Sequence, residues 1–191
     1  MSIQADRIAR ERDRANREAK VSQHVSEFLV SLFKVSDPIE GKGKDVTARE
    51  ILETGSARIA NELKDQPEIR ATLFDTMGQV YRNLGLYDKA IDLVQAGLTI
   101  REQRLGIDSL ETALSLDNLG AISLNKADYD SAEDLMRRAL EIRRKRLGPN
   151  SPQIAESYNN ISQVQFEKVN YAKSEELVRQ GYDVTLFASG D

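Results

Sequence analysis

The sequence predicts an all-α protein: an array of antiparallel helix pairs, one degenerate and three clear, behind a charged helical extension. Three observations predict it. The chain repeats itself at an interval of 42 residues, so that Gly78, Gly120 and Ser162 align, as do Tyr87, Tyr129 and Tyr171. Ala90, Ala132 and Ser174 fall on the same interval, with Val94, Met136 and Val178, and with Gly97, Ala139 and Gly181. A period in this range marks stacked repeats. Within one period, Leu116 to Leu147, small and large residues alternate at helical spacing and the pattern breaks once, at Asn125-Lys126. Only 4 prolines interrupt a chain rich in Ala, Leu, Glu and Arg, which are good helix formers.

Residues 1–20 form the extension. They are dense in Arg, Glu and Asp with Ala between, and Arg10, Arg14 and Glu18 at helical spacing suit a solvated single helix. From Val21 the character changes. Val21, Val25, Phe28, Leu29, Leu32 and Phe33 form an apolar stripe, and residues 21–66 read as a degenerate first helix pair. Ser36-Asp37-Pro38 is expected to end its first helix, with Gly41-Lys42-Gly43-Lys44 as a flexible connector. That GKGK is no phosphate-binding loop, which requires a preceding strand and a longer spacing to its lysine. Thr47, with Glu50 three residues on, is a capping box opening the second helix, whose core face is Ile51, Leu52, Ile59 and Leu63. Asp65-Gln66-Pro67 closes the pair.

Residues 67–191 hold three units, about 67–106, 109–148 and 151–189. In the first, helix A is expected from about Glu68 to Leu84 and helix B from about Tyr87 to Arg104. Gly85 and Gly106 sit where a helix end favours a left-handed residue, and Gly148-Pro149 ends the next B helix. Gly120, Ala132 and Ala139 are small because two helix backbones approach closely there, and Tyr129 is a packing aromatic at the turn. The last helix runs through Leu177, Tyr182 and Val184 toward Phe187 and stops at Gly190-Asp191 without a polar cap. Arrays normally need one, so this end is expected to continue in a longer chain or to associate.

These residues resemble the tetratricopeptide repeat. Counting Gly78 as the eighth residue of a unit, large apolar residues fall at four and seven as Phe74/Met77, Leu116/Leu119 and Tyr158/Ile161. Position eleven is Tyr81, Ser123 and Gln165; position seventeen is Tyr in every copy. The 42-residue period, with LGIDSLETA and LGPNSPQIAES between units, resembles the kinesin-light-chain-like variety. The resemblance implies a right-handed superhelix that binds peptides or proteins in a concave groove. A second resemblance covers residues 7 to 105. RIARERDRANREAK, VSEFLVSLFKVSDP and the following helices are similar to the segment after the membrane helix in bacterial transmembrane serine/threonine kinases with C-terminal repeats. It implies an extracytoplasmic sensor or scaffold, with the charged helix as its stalk. The kinase lobes are absent: no Gly-rich loop, HRD or DFG occurs. A cytoplasmic kinesin-light-chain-like adaptor is the alternative.

Carried over unit by unit, the family's groove positions are Asp75, Gln79, Arg82 and Asn83, then Asp117, Asn118 and Asn125, then Asn159, Asn160 and Gln163, with Phe166 and Glu167 beyond. Amides both donate and accept, so such a row can hold a peptide backbone. Arg82 is the only cation among them, so a clamp for acidic C-termini is not expected.

Other classes fit poorly. There is no cysteine and one histidine, His24, which gives no nucleophile arrangement, metal centre or cofactor site to build on, so no enzyme is expected. The net charge of -4 disfavours nucleic acid, and the run Arg137, Arg138, Arg143–Arg146 is offset by Glu133, Asp134 and Glu141 and lacks aromatics for base stacking. No run approaches the ~20 apolar residues of a membrane span, and the N-terminus lacks a signal core. Two functions remain open. One is a groove-binding scaffold for a peptide or protein; the other is self-assembly through the N-terminal helix or the last helix.

Overall fold

A computed structural model describes residues 2–34, 47–169 and 171–189. Eight helices and no strand occur among them: α1 (Ser2–Lys34), α2 (Ala48–Glu62), α3 (Pro67–Asn83), α4 (Tyr87–Leu105), α5 (Leu110–Asn125), α6 (Tyr129–Arg146), α7 (Pro152–Glu167) and α8 (Tyr171–Ser189). The chain divides into two compact units, 1–73 and 74–191.

In the first unit, α1 runs unbroken through the compositional change at Val21. No Gly or Pro stands between residues 2 and 34, so nothing there stops a helix. Phe28 and Leu32 are buried and Val21, Val25 and Leu29 half-buried, while Ile8 and Val30 are exposed. Arg58 of α2 lays its guanidinium 5.1 Å from the Phe28 ring centroid and donates to Ser31 Oγ at 3.3 Å. His24 is exposed, its Nδ1 2.7 Å from the Lys20 carbonyl one turn back. The capping box forms as expected: Glu50 N donates to Thr47 Oγ1 at 3.2 Å and Thr47 N to Glu50 Oε2 at 2.8 Å. Ser36-Asp37-Pro38, the GKGK segment and Gly190-Asp191 lie outside the described residues, as do the side chains of Phe33, Tyr171, Val184 and Phe187.

The second unit packs the later helices in sequence order, α4 on α5, α5 on α6, α6 on α7 and α7 on α8. Small residues set how closely they cross. A Cβ on Gly78 would overlap Val94 Cγ2 and lie 3.3 Å from the Ala90 carbonyl; one on Gly120 would stand 2.8 Å from Met136 Cγ. In the third copy Ser162 replaces the glycine and Ser174 the alanine, and their hydroxyls hydrogen-bond at 3.0 Å. Larger residues at one position are thus matched by a polar contact at its partner.

Each A helix ends in a tight left-handed turn. Gly85 takes φ 73°, and the equivalent residues 42 and 84 positions on, Ala127 and Val169, take φ 60° and 62°. The turn closes through Leu86 N to the Tyr81 carbonyl at 2.9 Å and Asp128 N to the Ser123 carbonyl at 2.9 Å. The core follows the repeat: Ala90, Val94, Leu116, Ala132, Met136, Ile161 and Val164 are buried, and Tyr81, Ser123 and Gln165 at position eleven are all buried too.

Candidate functional site

Within residues 74–191 the A helices α3, α5 and α7 carry all ten candidate groove residues, but the structure gives these residues two different roles. Asp75 and Asp117 turn inward and are buried. Arg101 on α4 forms an ion pair with Asp75 and a hydrogen bond with Ser115 of α5. Forty-two residues later, Arg143 on α6 pairs with Asp117 and donates to Ser157 Oγ of α7 at 2.6 Å. Each arginine thus joins its own A helix to the A helix that follows. These two aspartates belong to the interior of the repeat, and a ligand on the surface finds neither of them available.

Burial sets their electrostatics. Desolvation pushes the Asp117 carboxyl up to about 6, only partly countered by Arg143, and the nearby Glu156 raises it further. Asp75 is also raised by burial, with Arg101, Ser115 and Asn118 acting against it. The third unit breaks the sequence of the ladder: Asn159 and Thr185 occupy the aspartate and arginine positions. Asn159 is exposed, with its Oδ1 3.3 Å from where a Cβ on Gly181 of α8 would stand, so it stays on the surface at the position where Asp75 and Asp117 are buried.

The other candidates remain on the surface. Gln79, Asn83, Asn125 and Gln163 are exposed, and Arg82, Asn118 and Asn160 half-buried. Gln79 Nε2 donates to Asn118 Oδ1 at 3.4 Å, which brings the faces of α3 and α5 together. In helical register, Asn118, Ala121 and Asn125 of α5 correspond to Asn160, Gln163 and Glu167 of α7. Apolar side chains flank them: Leu114 is 47% and Phe166 55% exposed.

The B-helix side looks different. Of the basic run on α6, Arg143 is in the ladder, Arg137 pairs with Glu133 at 2.6 Å and Lys145 with Glu141 at 2.9 Å, while Arg146 donates to the Asp108 carbonyl at 2.7 Å. Repeat-to-repeat ion pairs recur at the period: Lys126 to Asp88 at 2.7 Å, then Lys168 to Asp130 at 2.6 Å and to Glu133 at 3.0 Å. Burial would raise Glu133, but hydrogen bonds from Arg137 and Lys168 prevail and hold it down at about 2.

The sequence reading missed Arg101, Arg143, Ser115 and Ser157. The signal was available, since both pairs recur at the same interval as the glycines; an Asp in a groove position at two successive units is informative only when its partner is sought on the B helix.

A family model described as the tetratricopeptide repeat matches residues 68–145 and, overlapping, 120–185. Together the matches span more than half of the chain. The chain belongs to the tetratricopeptide-repeat family. Its fold is similar to the crystal structure of BtubC (BKLC) from P. vanneervenii, at a TM-score of 0.64 and 16% identity, over 94% of this chain and 78% of that one. It is also similar to the crystal structure of a variant form of a Podosopora anserina putative kinesin light chain with nearly identical TPR-like repeats. That match has a TM-score of 0.68 and 15% identity, over 94% of this chain and 93% of the other. A further structure of the same Podosopora anserina repeats gives 0.62 and 15%, with 90% of each chain covered. No curated protein matches the sequence. The fold of the repeats is thus similar to that of kinesin-light-chain repeats, and no described helix is long and apolar enough to cross a membrane.

Proposed function

We propose that this repeat array is a non-catalytic scaffold that binds an extended peptide, or an extended segment of a protein, along the surface of α3, α5 and α7. One observation carries the reading: Gln79, Asn118, Asn125, Asn160 and Gln163 stand in register on successive A helices while the two aspartates of the same face are consumed inside. Amides can both give to and accept from a peptide backbone, so they hold a chain with little regard to its side chains. The resemblance of residues 7 to 105 to the post-membrane region of bacterial repeat-containing kinases supports placing this scaffold in a sensor assembly.

The test is selection from a displayed random-peptide library, followed by affinity measurement against an Asn118→Ala/Asn160→Ala variant. Binding should fall at least tenfold with the melting transition unmoved. A library that yields no binder, or binders indifferent to both changes, would refute the reading.

Self-association is a second reading, favoured by the exposed Ile8 and Val30 on α1. Light scattering across a tenfold range of concentration decides it: growth in mass supports association, and a constant monomer mass removes it.

A further inference from the structure

The A-helix surface has a charge bias that narrows its ligand. On α3, α5 and α7 of residues 74–191, Asp75 and Asp117 are neutralised by their buried arginines, and Lys126 and Lys168, at the helix ends, are held by Asp88, Asp130 and Glu133. What remains is Glu111, Glu156 and Glu167, all exposed, against Arg82 alone, which is half-buried. Among the described residues none of the three glutamates has an ion-pair partner. Glu156 and Glu167 stand at the two ends of the α7 stripe that carries Asn160 and Gln163, and Phe166 is exposed beside Glu167.

The geometry points to a cationic peptide bearing an apolar side chain as the ligand of this face, seated along α7. The inference rests on the peptide-binding reading above and adds the chemical class of the peptide. Glu156 and Glu167 are eleven residues apart, about 16 Å along an α-helix; extended chain puts residues i and i+4 on one face about 13 Å apart, and the flexible stems of Lys or Arg span the remainder. A peptide with two Lys or Arg side chains at that separation sets one cation against each carboxylate. Its backbone meets Asn160 and Gln163 between them, and a Leu or Phe next to one cation covers Phe166. Acidic peptides meet the same carboxylates as repulsion, which is how a weakly attractive surface still discriminates.

The experiment uses three labelled ten-residue synthetic peptides sharing one Leu and one Phe: one with lysines at two positions i and i+4, one with glutamates there, one with serines. Fluorescence anisotropy is read against the full chain at low and at threefold higher salt. The lysine peptide should bind at least tenfold more tightly than the glutamate peptide, and added salt should erode that advantage, because exposed charges are screened. Glu156→Gln/Glu167→Gln should weaken the lysine peptide about threefold to tenfold, the scale of two exposed ion pairs, and leave the serine peptide unchanged without lowering the melting temperature, since loss of Glu156 relieves its repulsion of Asp117. Equal or tighter binding of the glutamate or serine peptide would overturn the cationic class while leaving the peptide-binding reading intact. If none of the three binds while library selection does find a ligand, the cationic class falls; if selection fails as well, both fall together.

Discussion

Replacing Arg143 with methionine tests the buried ladder most directly. The change keeps an unbranched side chain of similar reach but removes the cation that joins Asp117 of α5 to Ser157 of α7. Asp117 is only 8% exposed, so its carboxylate is left without compensation in the interior. Ser157 loses less, since its hydroxyl still donates to the Gln153 carbonyl at 2.9 Å. Removing one member of a buried ion pair costs about 3–5 kcal/mol. With a urea dependence of about 2 kcal/mol per molar, the midpoint followed by circular dichroism should fall by roughly 2 M. The loss should centre on α7 and α8, because the arginine is the buried polar tie between that pair and the preceding one, beside the apolar cluster of Met136 and Leu140 with Ile154 and Ile161; faster amide exchange in those two helices checks this. The pH dependence carries the sharper signature. Burial has already raised the folded carboxyl to about 6 from 3.8, so its contribution to stability is full below pH 3.8 and is lost as pH rises through 6. Without Arg143 the folded carboxyl rises further, and the loss continues to higher pH. The variant should therefore lie closest to the parent near pH 5 and furthest at pH 8. Asp117→Leu together with Arg143→Met should return stability to within about 1 kcal/mol of the parent, since a packed apolar pair substitutes well for a buried ionic one. A single variant within about 1 kcal/mol of the parent, or a penalty equal at pH 5 and pH 8, would refute the reasoning.

Three further outcomes are expected. Gly78→Ala should cost more than Gly120→Ala, roughly 2–3 against 1 kcal/mol by chemical denaturation, because Val94 is stiff and fully buried whereas Met136 can bend away; equal costs would contradict the close-approach account. Val169→Gly should stabilise by about 1 kcal/mol, since a β-branched residue at φ 62° is strained and, at 69% exposure, gives back little buried surface; a lower melting temperature would exclude that strain. Glu133, held down at about 2 from 4.5, contributes stability above pH 4.5 that is lost as pH falls through 2, so Glu133→Gln should flatten the acid limb of the unfolding curve between those values; an unchanged limb would show that its hydrogen bonds do not hold the carboxylate down.

The fold was legible because the repeat is written twice over, in Gly78 and Gly120 as space and in Val94 and Met136 as what fills it. The turns were legible at Gly85 but not at Ala127 and Val169, which adopt the same left-handed backbone without its usual residue. Local propensity there is overridden by the helices on either side, which fix the turn's ends. α1 runs on through the change of composition at Val21, because composition changes which face is buried whereas no Gly or Pro interrupts the backbone there. At the candidate site, positions such as Asn118, Asn125 and Gln163 could be placed from register alone. Whether an aspartate at a neighbouring position faces out or in could not, because that depends on a cation 26 residues away on another helix.

That dependence explains how apolar repeats keep their register. Ala, Leu and Val surfaces attract without direction, so two helix pairs could slide by a turn with little change in buried area. A slip of one turn moves side chains by about 5.4 Å, far beyond hydrogen-bond reach. At the Arg101 crossing it would strand Arg101 from Ser115, and at the Arg143 crossing Arg143 from Ser157, with the paired aspartates still desolvated. The pair adds little to the stability of the correct stack, as the raised Asp117 carboxyl indicates, yet it makes the incorrect stack costly. The exposed pairs Lys126–Asp88 and Lys168–Asp130 repeat the same junction at the surface, where solvent screens them and each is worth little alone. Register is therefore carried inside, and that leaves the composition of the exposed A-helix face unconstrained by stacking.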